Sequence, residues 1–269
     1  MMLVGLAILV ILVVMALIGP SLVRQDPLEQ DVSRRLEAPG HDHILGTDRL
    51  GRDLASRVLY GARGSLTTAS AVVVIGVTIG TCLGLVSGYF GRRIDFVIQR
   101  VVDVILAFPS MLLAIGIMAF MGQGLINLIL AISLVNIPQV TRLVRSRVLQ
   151  VREVEFVEAA RAIGAGDGYL IRRHVFPSTV GPLVVQATFI LVYAIRTEAS
   201  LSFIGLGIPP PDPSWGGLLD DGKAYIQTAP WMIMAPGGAI ALTILGLSLI
   251  GDGLRDLLDP RVRTLMGKS

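Results

Sequence analysis

Charge is what this chain has least of. Only 16% of its 269 residues are charged and 6% are aromatic, whereas a soluble domain carries about a quarter charged residues. It has three histidines and one cysteine, Cys82. A lone cysteine excludes an intrachain disulfide framework and any cysteine-based zinc site. The net charge is only +3, too small an excess to indicate nucleic acid as a partner. A pI near 9.3 fits arginine-rich loops beside a membrane instead. With 53% hydrophobic residues and a mean hydropathy of +0.71, the chain is neither a water-soluble globule nor disordered, since disorder needs low hydrophobicity and high net charge.

What is present is a series of long apolar runs. A bilayer core takes about 20 mostly apolar residues per helix. Six stretches meet or approach that length: Met1 to about Val23, Leu66–Phe90, Val101–Met121 with Pro109 inside, Leu125–Leu143 with Pro138 inside, Val180–Ile204 and Trp231–Ile250. The expected fold is an all-α membrane protein with six transmembrane helices. The first stretch lacks a basic leader and a small-residue cleavage site, so it reads as an uncleaved span rather than a signal peptide. The missing polar lead before it suggests a trimmed chain or an internal start.

Arginines set the orientation. Arg92, Arg93 and Arg100 follow the second run. Arg142, Arg145, Arg147, Arg152, Arg161, Arg172 and Arg173 follow the fourth, and Arg255, Arg261, Arg263 and Lys268 lie in the tail. The loop after the fifth run holds Asp212, Asp220 and Asp221 against one lysine. The positive-inside rule therefore places the second and fourth loops and both termini in the cytoplasm. Residues 24–65 carry seven arginines and seven acids. Placed outside, they read as a folded, salt-bridged arm. Three divisions result: residues 1–65 as first span plus outer arm, 66–255 as the core, and 256–269 as a cytoplasmic tail.

The loop from Val144 to Pro182 is too structured for a plain connector. Glu153, Glu155, Glu158 and Arg161 form a charged helical face, and Val154, Val157, Ala160 and Ile163 form an apolar stripe at three-residue spacing. Gly164 stands where a helix C′ glycine belongs. Asp167 is expected to cap a second short helix from Gly168 to about Val175, which Pro177 ends. A short amphipathic helix outside the bilayer either seats in a partner's groove or lies on lipid. The pattern alone leaves both open.

These residues carry a resemblance. Glu158-Ala159-Ala160, then Gly164, then His174-Val175-Phe176-Pro177 resembles the "EAA" loop of ABC importer permeases, written E-A-A-x3-G-x9-I-x-L-P. The peptide and nickel branch commonly has His at the Ile position. His174 and Pro177 keep that form, while Val175, Phe176 and Ser178 depart from it. Four further elements resemble the C-type permease of dipeptide and oligopeptide importers. They are Leu45 to Arg63, Asp103 to Ser110, Glu198 to Gly207 with Pro213-Ser214-Trp215-Gly216, and Gly251 to Arg261. The resemblance covers about Leu45 to Arg263 and implies a type I ABC importer permease fold. It also implies a B-type permease partner, two ATPase subunits and an extracytoplasmic binding protein, with dipeptides or short oligopeptides as cargo. Glu158, Ala159, Ala160, Gly164, His174 and Pro177 would then form the ATPase-coupling site. Small Ala159 and Ala160 let a helix enter a groove closely, and Glu158 offers a charge to a basic partner group.

Other residues are weighed on chemistry alone. Glu198 is a candidate for the translocation path, and Arg196 is expected to snorkel to the outer interface. Asp103 is expected to pair with Arg100, and His41 and His43 to be solvated. Cys82 reads as buried packing in the second span. The stripe Gly76, Gly80, Gly84, Gly88 marks a close helix approach, its partner in this chain or a second permease. The stretch Pro209–Trp215 is a rigid scaffold or a docking face. No metal site, no cofactor and no catalytic constellation is expected. Gly267-Lys268-Ser269 only imitates a phosphate-binding loop, because Val262 occupies its first glycine position. ATP hydrolysis would therefore fall to partner subunits. The alternative is a self-sufficient six-span channel or ion-coupled carrier, which should show internal repeats and midplane charges.

Overall fold

The structure, a computed structural model, describes residues 2–22 and 25–258. Arg24, Arg261, Arg263, Lys268 and the Gly267-Lys268-Ser269 tripeptide lie outside the described residues. Among the described residues the secondary structure is helical, apart from one isolated bridge between Thr47 and Asp53. The helices are α1 (Met2–Leu22), α2 (Leu54–Phe90), α3 (Arg92–Leu106), α4 (Ser110–Met121), α5 (Leu125–Arg152), α6 (Glu155–Ala162), α7 (Asp167–Leu170), α8 (Phe176–Phe203), α9 (Trp215–Gly222) and α10 (Trp231–Leu258). Four continuous helical runs are long and apolar enough to cross a bilayer, or five if α3 and α4 count as one. The apolar helix α1 stands beside them.

Three expected spans differ in form. The second begins a full three turns earlier than its apolar run, at Leu54, because Asp53 caps the helix by accepting the Ser56 N–H. The third is broken: α3 and α4 meet at 89°. Proline disfavours helix at the residue before it and lacks the N–H to continue one, so the chain turns at Pro109 and α4 restarts at Ser110. With 12 residues, α4 is about 18 Å long, and α3 is amphipathic rather than apolar. In the fifth, Pro177 ends nothing. A π-turn over Ile171–Val175 joins α7 to α8, and helix runs unbroken from Asp167 to Phe203. The wider turn just upstream relieves the clash between the proline ring and the preceding carbonyl turn.

The glycine stripe decides how the centre packs. Gly76, Gly80, Gly84 and Gly88 all face α5 of the same chain. A Cβ added at Gly80 would lie 2.5 Å from Val140 Cβ, at Gly84 2.6 Å from Val144 Cβ, and at Gly88 2.7 Å from Val148 Cβ. Valines at four-residue spacing on α5 thus fill the notches that glycines leave on α2, and Val140, Val144 and Val148 are fully buried. Cys82 lies on the opposite side of α2 and is exposed, not packed inside. The face that approaches α5 recurs every four residues, and position 82 is half a period away from it.

The rest of the bundle closes around this pair. Helix α1 lies on α10 at Gly5 and Gly246, and Arg63 of α2 donates to the backbone oxygens of Ala16 (2.9 Å) and Leu17 (2.9 Å). The outward faces are apolar: Val74, Leu112, Phe120 and Met234 are all exposed, Phe120 to 93%. In water such a surface would be an aggregation liability; in a bilayer it is the lipid contact.

Candidate functional site

The segment between α5 and the π-turn builds a compact knob. Helix α6 begins at Glu155, so Val154 is its N-cap residue and Ile163 its C-cap residue. The expected apolar stripe is therefore cut at both ends. Val157 is fully buried and Ala160 half-buried, while Ile163 swings out to 88% exposure. Gly164 has φ +93°. Its N–H donates to Arg161 O at 3.0 Å, and the Ala165 N–H donates to Ala160 O at 3.0 Å. This pair of bonds is a Schellman turn, which needs the left-handed conformation that glycine adopts freely.

The exposed side of α6 is mixed in a way that a lone loop does not favour. Glu158 and Ala159 are exposed. Phe156 and Ile163, at three and four residues from Ala159, and Tyr169 of α7 are each more than half exposed. Exposed aromatic and aliphatic groups on a charged loop helix are suited to a protein groove. His174 sits behind, half-buried, with its ring 5.6 Å from the ring of Phe156 and 5.8 Å from that of Tyr169. Pro177 lies exposed at the start of α8. Glu158, Ala159, Ala160 and Gly164 thus share one turn-bounded helix, His174 packs behind it, and Pro177 lies beyond the π-turn.

Asp167 does not cap α7, whose N-cap residue is Gly166. Its carboxylate accepts instead from the Tyr89 hydroxyl at 2.6 Å. Arg161 reaches the same hydroxyl at 3.4 Å and lies 5.9 Å over the ring. Tyr89 is the next-to-last residue of α2, so this cluster fastens the knob to the end of the glycine stripe. Spacing gave no hint of it, since residues 89, 161 and 167 are remote in sequence; the only signal was a tyrosine closing an apolar run. Tyr89→Phe removes one bond and leaves the ring. It is expected to cost about 1 kcal/mol of local stability and to raise amide exchange in α6 and α7 while α2 and α5 stay protected. Unchanged exchange in α6 would mean that the hydroxyl does not hold the knob.

Nearby charges pair across helices. Asp103 bonds to Arg142 at 2.6 Å rather than to Arg100, whose guanidinium lies over Phe96 instead. Asp95 takes a two-pronged contact from Arg145 at 2.6 and 2.7 Å. These pairs tie α3 to α5.

The opposite end carries a second polar centre. In the arm, Arg34 pairs with Glu37 (2.7 Å) and Asp42 (2.8 Å). Its hydrogen bonds hold both carboxyls below the usual range. Their contribution to arm order is present at neutral pH and is lost as pH falls through those lowered values. His43 is buried, not solvated, and meets Asp53 at 2.9 Å. Asp48 accepts from Arg52 Nε at 2.6 Å, and Arg49, Arg52 and Arg57 converge on Asp221 of α9. Trp231 Nε1 donates to Thr47 O at 3.3 Å. The arm is therefore locked onto α9 and α10. No cluster of metal-ligating side chains occurs among the described residues.

Glu198 does not face a cavity. It is fully buried and accepts from Ser65 Oγ at 3.0 Å and Ser202 Oγ at 2.9 Å. Ser65 in turn accepts the Trp215 N–H at 3.2 Å, and Trp215 Nε1 donates to Val58 O at 3.0 Å. Glu198 is the centre of a junction joining α2, α8 and α9. Buried polar groups need such partners, and the Glu198-to-Gly207 and Trp215 elements supply each other's. Arg196, two residues earlier, is exposed and lies 5.7 Å over Tyr193.

A helical core joined to a protruding loop helix defines a class. The fold matches the MetNI methionine ABC transporter in an inward-facing crystal form, with a TM-score of 0.61 and 19% identity over 75% of this chain and 96% of that one. The protein therefore shares the fold of that structure. The chain belongs to the family of binding-protein-dependent transport system inner membrane components, which it matches over residues 80–264. Residues 1–39 match the N-terminal transmembrane domain of oligopeptide transport permease C. It is 45% identical to the dipeptide transport system permease protein DppC of Alkalihalophilus pseudofirmus, over 97% of this chain and 86% of that protein. It is 38% identical to the oligopeptide transport system permease protein OppC of Bacillus subtilis, over 97% and 85%. The chain is therefore a multi-pass inner-membrane permease subunit of an ABC importer, and ATP hydrolysis occurs in separate ATPase subunits. Membership implies ATPase partners, a substrate-binding partner and a paired permease.

Proposed function

We propose that this chain is the C-type half of an importer of dipeptides or short oligopeptides, driven through the α6 knob by two ATPase subunits. The exposure of Phe156, Glu158 and Ile163 on and at the end of α6, and of Tyr169 on α7, carries this reading. Such a surface is costly in water and fits a groove. A B-type permease would complete the path, and an extracytoplasmic binding protein would deliver cargo to the arm side. The peptide cargo is drawn from the named relatives.

On this reading α1 and the bent α3–α4 pair complete six membrane crossings, with lipid around the apolar faces and both termini cytoplasmic. Residues 1–65 form the first span and outer arm, 66–255 the permease core with its coupling loop, and 256–269 a tail. Closure of the ATPase pair would push the α6 knob. The Tyr89–Asp167 contact and the joined α7–α8 helix would then pass the movement to the spans. A self-sufficient channel or carrier has no use for such a knob.

Purification of the tagged chain from its native membrane in mild detergent tests the reading. Two P-loop ATPases and a second multi-span protein should co-purify in stoichiometric yield, and the assembly should take up dipeptide when its binding protein is added. Recovery of the chain alone or as a homo-oligomer in several detergents would overturn the importer assignment. ATP-driven uptake of nickel alone, with no response to peptides, would overturn the cargo.

A further inference from the structure

Polar residues at mid-helix depth have no place on a lipid face, and this chain has a row of them on α5 and another on α8. On α8, Gln186, Phe189, Tyr193 and Arg196 follow at offsets of three, seven and ten, which is one helical stripe. On α5, Gln139, Leu143 and Arg147 follow at offsets of four and eight, beside Asn136, which is buried against α2 and donates to Ile132 O. The two stripes line two adjoining cavities. One of about 240 Å³ is bordered by Asn136, Gln139, Gln186, Tyr193 and Arg196. The other, of about 520 Å³, is bordered by Leu143, Arg147, Gln186 and Arg255. Gln186 and Phe189 line both, so the cavities form one groove along the α5–α8 seam.

The depth matters. Gln186 lies about 15 Å from the start of α8, and Gln139 about 21 Å from the start of α5, at the rise of a helix. Both stand near the middle of 28-residue helices, where bare lipid contact is unfavourable. Arg196 lies on the far side of Gln186 from the coupling knob, while Arg147 and Arg255 lie on the near side. Among the described residues no carboxylate lines either cavity. Arg196 has no ion-pair partner among the described residues, and its only charge-directed contact is the Tyr193 ring. A planar guanidinium free to offer paired N–H groups is suited to a carboxylate.

On the reading of this chain as one half of a peptide importer, we infer that the α5–α8 groove is its share of the translocation path, and that Arg196 is a specificity-determining residue that receives the terminal carboxylate of the passing peptide. The glutamines offer amide donors and acceptors to peptide groups of any sequence. Every free peptide carries a terminal carboxylate and a terminal ammonium; of the two only the carboxylate attracts a guanidinium, so a single arginine can recognise every cargo by that end. The arginines at the knob end keep the groove favourable to an anion over its length.

Thiol chemistry on the assembled importer tests this, in a Cys82→Ala background. Gln186→Cys should react with water-soluble, membrane-impermeant thiosulfonate reagents, while Phe120→Cys on the lipid face should not. An anionic reagent should react about tenfold faster than a cationic one of equal size, as expected for a groove lined by one sign of charge. Adding Arg196→Gln should lower that ratio clearly while Arg147 and Arg255, which line the same cavity as Gln186, hold it above one, and Arg196→Lys should retain most of it. In uptake assays Arg196→Gln should lower the maximal rate for dipeptide about tenfold, with Arg196→Lys close to the parent. A Gln186→Cys thiol no more reactive than Phe120→Cys would overturn the groove, as when a partner helix fills it. A charge preference indifferent to Arg196→Gln, or equal uptake losses in the Gln and Lys variants, would overturn the role of Arg196. Co-purification of the ATPases is scored separately, so failure of the groove is distinguishable from failure of the importer reading.

Discussion

Gly164→Arg is expected to lower peptide uptake about a hundredfold while the chain still inserts and its spans still pack. The reason begins with the backbone. Gly164 holds φ +93°, where a side chain costs about 1–3 kcal/mol. If undocking relieves that strain, the cost falls on ATPase affinity, and about 2.7 kcal/mol is a hundredfold. Space is not the obstacle, since a Cβ at Gly164 would meet nothing within 4 Å. Gly164→Ala therefore isolates the strain and should lose only about tenfold. The arginine adds a bulky cation beside Phe156 and Ile163, on the surface that is to enter a groove. Glu158→Lys reverses the charge of the same patch without touching the turn, and its loss of ATPase co-purification should grow at low salt, where repulsion is less screened. Uptake and ATPase recovery measured together decide the matter. Full uptake with full recovery in both Gly164→Arg and Glu158→Lys would remove α6 from the coupling role.

Gly84→Leu should be the most damaging single change to the fold. A Cβ there already falls 2.6 Å from Val144 Cβ and 2.7 Å from Thr141 O. Leucine adds three more carbons in the same direction, and neither the valine nor a backbone oxygen has anywhere to move. Overpacking in cores costs about 1–3 kcal/mol. A helix-on-helix notch filled by backbone should exceed that range, and little monodisperse protein should survive detergent extraction. Val86→Leu, on an exposed position of the same helix, should behave as the parent. The milder Gly84→Ala should be partly rescued by Val144→Gly, which removes the opposing Cβ, so the pair should show a favourable coupling in a double-mutant cycle. Equal extraction yield and thermal stability for Gly84→Leu and the parent would mean that α2 and α5 do not meet at this notch.

Much of this was legible because bilayer physics writes it into composition. The apolar runs located the helices of α2, α5, α8 and α10, since a continuous apolar run can satisfy its own backbone groups in lipid only as a helix, whereas the strands of a closed barrel alternate apolar and polar residues. Gly164 was legible as a turn because glycine after an amphipathic stretch has one common use. The small-residue stripe announced a close approach, but a repeat on one helix carries no record of what faces it. The valines at positions 140, 144 and 148 lie in a run that reads as plain hydrophobic sequence, and only the fold sets them opposite the glycines.

Other features were misread for the same reason. Cys82 and Ile163 are read from residue type and local spacing, and Glu198 as a path candidate from the family element that contains it; in the fold a neighbour sets the direction of each. Cys82 faces out because Gly80 and Gly84 face in. Glu198 is enclosed because Ser65 and Ser202 reach it from two sides. Ile163 is exposed because the helix stops one residue before it.

What the residues alone settled is a helical membrane protein with a turn-bounded loop helix, since hydropathy and a glycine at a C′ position act within a few residues of one another; the permease reading came from the resemblance of its motifs. Tertiary structure alone decided the α2–α5 partnership, the anchoring of the loop through Tyr89 and Asp167, and the alignment of Gln139, Gln186 and Arg196 along one groove. Those depend on which faces of distant helices meet, and that choice is made by close packing and by the need of each buried polar group for a partner.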